Sequence, residues 1–127
     1  MRYGISKEVS LTFEQAVEKV TEELTKERFG VLTTIDVQET LKKKLDVDMP
    51  RYIILGACNP PFAYTSLQIE PEIGLLLPCN VIVYEKDGRT HVAAFDPMVM
   101  THIIENPDMV PVAMEVKARL DRVIEAV

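Results

Sequence analysis

The chain has two cysteines, and they stand in near-mirror motifs, Ala57-Cys58-Asn59-Pro60 and Pro78-Cys79-Asn80. Each motif joins a strongly apolar segment to a proline. A thiol so placed either packs as a small hydrophobe or, as a thiolate, attacks or ligates. Asn59 is a favoured helix N-cap type, and Pro60 and Pro61 suit the first helical positions. A helix starting there sets Cys58 ahead of unpaired N–H groups and the positive end of a dipole, which favours the thiolate. Cys58 is therefore the sharper candidate for catalysis, with Cys79 as its partner. As an enzyme the pair would run thiol–disulfide or sulfur-transfer chemistry, Cys58 attacking and Cys79 resolving.

Around the thiols, Asn59 and Asn80 are the residues expected to orient a bound species. Asp87-Gly88 is a strong two-residue hairpin signal. Its register pairs Lys86 with Arg89 and Tyr84 with His91, and carries on to set Cys79 opposite Asp96. A carboxylate there would raise the Cys79 pKa and suit ligation better than attack. Tyr64, Glu39 and His102 are further polar candidates for the pocket. No zinc site is predicted, because structural zinc takes four Cys or His ligands at short paired spacings and none occur. Cys58 and Cys79 are the candidate ligands for another metal. A disulfide between them needs Cα atoms within about 7 Å, and their proximity is an assumption at this stage. The chain has no Gly-rich phosphate loop, no Ser-His-Asp order and no paired-carboxylate signature, and its cofactor is unknown from sequence.

The elements that must position these residues follow from periodicity. Residues 2–9 alternate as a strand, with Tyr3, Ile5 and Val9 on one side. Phe13, Ala16, Val17, Val20 and Leu24 recur at helical spacing, with Thr12 and Gln15 as a capping box and Gly30 as a left-handed stop. A strand over 31–37 and a short helix over 38–45 follow, with Leu41 and Leu45 on the helix's inner side. Residues 52–57 read as a buried central strand and 60–70 as a helix, while 73–77 stay unassigned. The hairpin strands 81–84 and 91–95 have two largely apolar faces, so both are expected to be covered, one by another subunit. A long C-terminal helix is expected, capped by Asn106 with Pro107 first.

Composition narrows the classes. The 127 residues suit one domain, with 47% hydrophobic and 27% charged side chains. A net charge of −6 argues against nucleic acid, whose affinity rests on Lys and Arg; Lys42-Lys43-Lys44 reads as a solvated helix end. No run approaches the ~20 apolar residues of a membrane span, and Arg2, Lys7 and Glu8 break any leader. Two cysteines in that setting predict free thiols and a cytoplasmic location.

The segments 38–45 (QETLKKKL), Gly56-Ala57-Cys58-Asn59-Pro60, 74–81 (GLLLPCNV) and Asp96-Pro97-Met98 resemble the bacterial and archaeal family called domain of unknown function 302. The resemblance spans nearly the whole chain. It implies an α+β fold of the TATA-binding-protein-like class, a curved antiparallel sheet against a long C-terminal helix, in the order β-α-β-(α)-β-(α)-β-β-α. It also implies a homodimer, and it supplies no activity, substrate or cofactor. Two function classes result. One is a small-ligand or metal-responsive thiol site on Cys58 and Cys79; the other is a non-catalytic homodimeric module whose cysteines are packing residues. A weaker third is an apolar ligand under the sheet, lined by Phe62, Tyr64, Tyr84 and Phe95.

Overall fold

Asp87 and Gly88 both adopt positive φ (54° and 74°), the backbone that a two-residue turn between twisted strands requires. They join β4 (Cys79–Lys86) to β5 (Arg89–Phe95) with Lys86 opposite Arg89 and Tyr84 opposite His91, the register expected from sequence. A computed structural model describes residues 2–127. In it β1 (Gly4–Val9), β2 (Gly30–Asp36) and β3 (Tyr52–Cys58) complete one antiparallel sheet, ordered β1-β5-β4-β3-β2. The helices are α1 (Phe13–Lys26), α2 (Val37–Leu45), α3 (Pro60–Ile69), α4 (Met100–Ile103) and α5 (Met109–Ala126). The architecture is α+β, and the elements follow the expected order. Residues 73–77, unassigned from sequence, fall mostly within a 3-10 helix over Pro71–Leu76.

One face of the sheet carries Ile53, Val83 and Val92 in one cross-strand row and Leu55, Val81, Ala94 and Ile5 in the next. The apolar stripes of α1 (Ala16, Val20, Leu24) and α5 (Val116, Leu120, Val123, Ile124) close over these rows into one core. Among the described residues, the rows of the other face give none of their side chains to this core. Those rows are Ile35, Ile54, Ile82, Ala93, Ser6 and, beside that, Tyr52, Tyr84, His91, Glu8. Tyr52, Tyr84 and His91 stack ring on ring at 5.4 and 5.0 Å. The expectation that both hairpin faces are covered thus holds within the chain for one face only.

Several local expectations are corrected. The capping box of α1 forms, Thr12 Oγ1 accepting from Gln15 N–H and Gln15 Oε1 from Thr12 N–H. Its left-handed stop, however, is Arg28 (φ 68°), and Gly30 already belongs to β2. Phe29 N–H donates to Leu24 O and Arg28 N–H to Thr25 O, a pairing that brings the buried Phe29 and Leu24 together. That contact outweighs the small penalty of a left-handed arginine. Tyr3 precedes β1 and is exposed, whereas Ile5 and Val9 pack on the core. On α2 no residue is buried and Leu45 is exposed. At the start of α5, Asn106 Oδ1 accepts from Asp108 N–H in a preceding turn, and the helix begins only at Met109.

Candidate functional site

Cys58 ends β3 and Cys79 begins β4. The antiparallel register sets Cys79 opposite Ala57, the residue before Cys58, so the two motifs are brought together across adjacent strands. Gly56, opposite Asn80, permits this junction. A Cβ there would overlap Thr33 Oγ1 and lie 2.8 Å from Pro78 Cγ.

Both thiols line one cavity of about 300 Å³ at this end of the sheet. Phe62, Ala63 and Ser66 of α3 form one side, and Met109, Val112, Ala113 and Val116 of α5 form another. Phe29, Leu32 and Thr33 close it towards β2, while Leu77, Pro78, Pro97 and Met100 close it towards the 3-10 segments and α4. Ala57, Ala63 and Ala113 leave the room that larger side chains would fill. Asn59 also lines it. No Asp, Glu, Lys, Arg or His is among the lining residues. The wall is therefore apolar and uncharged, its polar atoms confined to Thr33, Cys58, Asn59, Ser66 and Cys79. This volume is at the low end of small-molecule sites.

The two thiols differ. Cys79 is buried, and its pKa is pushed up from 9.0 to about 11, first by burial and then by the neighbouring Cys58. It is a neutral thiol near pH 7. Cys58 is half-buried. Asn59 occupies the N-cap position of α3, but its side chain does not cap. Instead its amide donates to Glu27 O at 3.2 Å, and Arg119 Nη1 donates to the same carbonyl at 3.1 Å. This carbonyl ties the end of α1 to the starts of α3 and to α5. The carboxylate of Glu27 takes a two-pronged pair from Arg122, which holds it below the usual carboxylate range. The donors expected ahead of Cys58 are also fewer than supposed. Pro60 and Pro61 have no N–H, and Ala63 N–H is used by Asn59 O.

Of the other expected polar site residues, the structure brings none to the cavity wall. Asp96 lies past the end of β5, where its N–H donates to Tyr3 O and the strand has left β4. Its carboxylate accepts from Met98 N–H and sits 4.0 Å from Lys117, and it is not a cause of the Cys79 shift. Tyr64 is 67% exposed on the outer side of α3. Asn80 is exposed on β4, and His102 is exposed on α4. Glu39 pairs with Lys43 on α2. The proposed apolar lining keeps Phe62 and loses Tyr64, Tyr84 and Phe95. The residues missed from sequence are Phe29, Ser66, Met100 and Met109, with Glu27 and Arg119 as positioning groups behind Asn59. The spacing Met109, Val112, Ala113, Val116 marks one face of a helix and was the available signal.

The model of the family described as domain of unknown function DUF302 matches residues 5–127. The chain belongs to the DUF302 family. A solved structure of an uncharacterized conserved DUF302 protein from Bacillus stearothermophilus is similar over 99% of this chain and 98% of that one, at 28% identity and a TM-score of 0.93. No curated protein matches. Among the described residues, no helix is long and apolar enough to cross a membrane. Membership in DUF302 supports the expected fold class; the chemistry has to be argued from the cavity.

Proposed function

We propose that the cavity is a binding site for a small occupant that brings no net charge into it, with Cys58 and Cys79 as the groups that recognise it. The observation that carries this reading is the joint placement of both thiols on one uncharged apolar wall. A charged species there would lose its hydration with no opposite charge to replace it. Cys58, half-buried, is the thiol that meets both cavity and solvent, and Cys79 is the neutral inner sulfur. The reading carries with it a reducing, cytoplasmic setting in which both thiols stay free.

Titration with N-phenyl-1-naphthylamine, an uncharged apolar fluorophore, tests it. The expected result is saturable fluorescence enhancement and slower alkylation of Cys58 in the bound state. Ala113→Leu, which fills the cavity from α5, weakens probe binding at least about tenfold, the equivalent of about 1.4 kcal/mol. Absence of saturable binding, or equal binding by the filled variant, overturns the reading.

A second reading concerns the uncovered sheet face. Antiparallel sheets normally turn polar residues to water on such a face. Here Ile35, Ile54, Ile82 and Ala93 run across four strands beside the Tyr52–Tyr84–His91 stack. We propose that a second copy of the chain covers it, in keeping with the charge-poor, aromatic-rich centres of protein interfaces. Light scattering at micromolar concentration should give a dimer mass, and Ile54→Lys should give a monomer; a monomeric parent protein rejects the proposal.

A further inference from the structure

The chain has six methionines and two cysteines. Half of these sulfur side chains, Cys58, Cys79, Met100 and Met109, line the one cavity. Each is a terminal residue of its element: Cys58 closes β3, Cys79 opens β4, Met100 opens α4 and Met109 opens α5. The ends of four elements thus bring sulfur-bearing residues to the lining of a single half-open cavity. Three of the four are buried, with Met109 1% and Met100 4% exposed.

We infer that this cavity holds a soft monovalent metal ion, Cu(I), on the Cys58 thiolate and the Met100 and Met109 thioethers. The inference rests on the reading of the cavity as a binding site and names its occupant.

The donor set selects the metal. Among the described residues, no three His, Cys, Asp or Glu side chains are grouped to hold an ion. Zinc needs about four such ligands, and calcium or magnesium needs oxygen. Thiolate and thioether together are the ligands that favour Cu(I). Cu(I) is also stable with two or three sulfur ligands, so it does not require the missing groups.

Charge selects the same ion. The lining has no charged side chain, so the bound assembly must be close to neutral. One monovalent cation with one thiolate is neutral, and the thioethers add no charge. On binding, a Cu–S bond forms at Cys58 Sγ, the thiol proton leaves to solvent, and no electron is transferred. Cys58 is the half-buried thiol of the cavity and supplies the one thiolate that this neutrality calls for. One proton is therefore released per ion.

The test is an anaerobic titration of the reduced full chain with Cu(I), in competition with bicinchoninate, followed by the ultraviolet thiolate-to-copper charge-transfer band. The expected result is one ion per chain, one proton released, and loss of the band in Cys58→Ser. The Met100→Leu, Met109→Leu double variant, nearly volume-conserving and checked for folding by its thermal melt, binds at least about tenfold more weakly, as loss of metal-site groups typically does. Failure to hold Cu(I) against the competitor overturns the inference, as does affinity within about twofold in the double methionine variant. Saturable naphthylamine binding by a protein that does not hold Cu(I) would leave the cavity as a binding site and remove the metal. Failure of both titrations would remove both.

Discussion

Leu120→Ala lowers the unfolding free energy by about 3–4 kcal/mol and the melting temperature by roughly 10–15 °C. Leu120 is fully buried on α5, in the cluster that includes Val81, Val83 and Val92 of the two central strands. Truncation there removes apolar burial and leaves a void that the sheet cannot collapse to fill, because backbone hydrogen bonds on both sides hold β4 in place. Leu75→Ala is the control. Leu75 is 83% exposed, and its loss should change stability by about 0.5 kcal/mol or less. Urea melts of both variants measure the contrast. A Leu120→Ala loss under about 1 kcal/mol would mean that α5 is not packed on the sheet in this way.

The second large effect is alkaline. The Cys79 thiol is raised by burial, and then by Cys58, from 9.0 to about 11 in the folded chain. Below pH 9 it is protonated both folded and unfolded, and its contribution to stability is fully present. Between pH 9 and 11 the unfolded chain releases a proton that the folded chain keeps, so stability falls as pH rises. The total is on the order of 2–3 kcal/mol. Lysines and tyrosines titrate in the same range, so the quantity to measure is the difference between the parent protein and Cys79→Ala. Denaturant melts from pH 8 to 11 should show the gap between the two proteins shrinking by that amount. A gap independent of pH would show that water reaches Cys79 in the folded state.

The parts of the fold readable in sequence are those fixed by local rules. The Asp87-Gly88 turn requires positive φ at both positions and thereby sets every pair of the β4–β5 register. The α1 capping box and the apolar stripes of α1 and α5 are equally local. The site depended on a pairing of distant segments, β3 with β4, that no local rule supplies. The near-mirror cysteine motifs pointed to it, and the register brings them together.

The errors have equally definite causes. Placing Asp96 opposite Cys79 extended the hairpin register past Phe95, where the chain instead bonds to Tyr3. The chemistry of Tyr64 suits a pocket, but helical phase rules it out. It stands two residues from Phe62, roughly 200° around the helix at 3.6 residues per turn, so when Phe62 and Ser66 face the cavity Tyr64 must face out. Asn59 is a cap by residue type, but its amide is drawn instead to the Glu27 carbonyl, 32 residues away. Met100 and Met109 gave no motif, because methionine at helical spacing is ordinarily core filler.

The order of strands in the sheet also bears on how the chain is made. β1 pairs only with β5, so residues 4–9 have no partner until residues 89–95 have emerged from the ribosome. β2 and β3 can pair much earlier, and β3 then templates β4. Synthesis therefore leaves β1 without its strand partner until β5 has been made, and the apolar stripe of α1 without that of α5 until α5 has been made. Closure of the sheet by β1 is therefore a non-local step, of the kind that slows folding and lengthens the exposure of a nascent chain to chaperones.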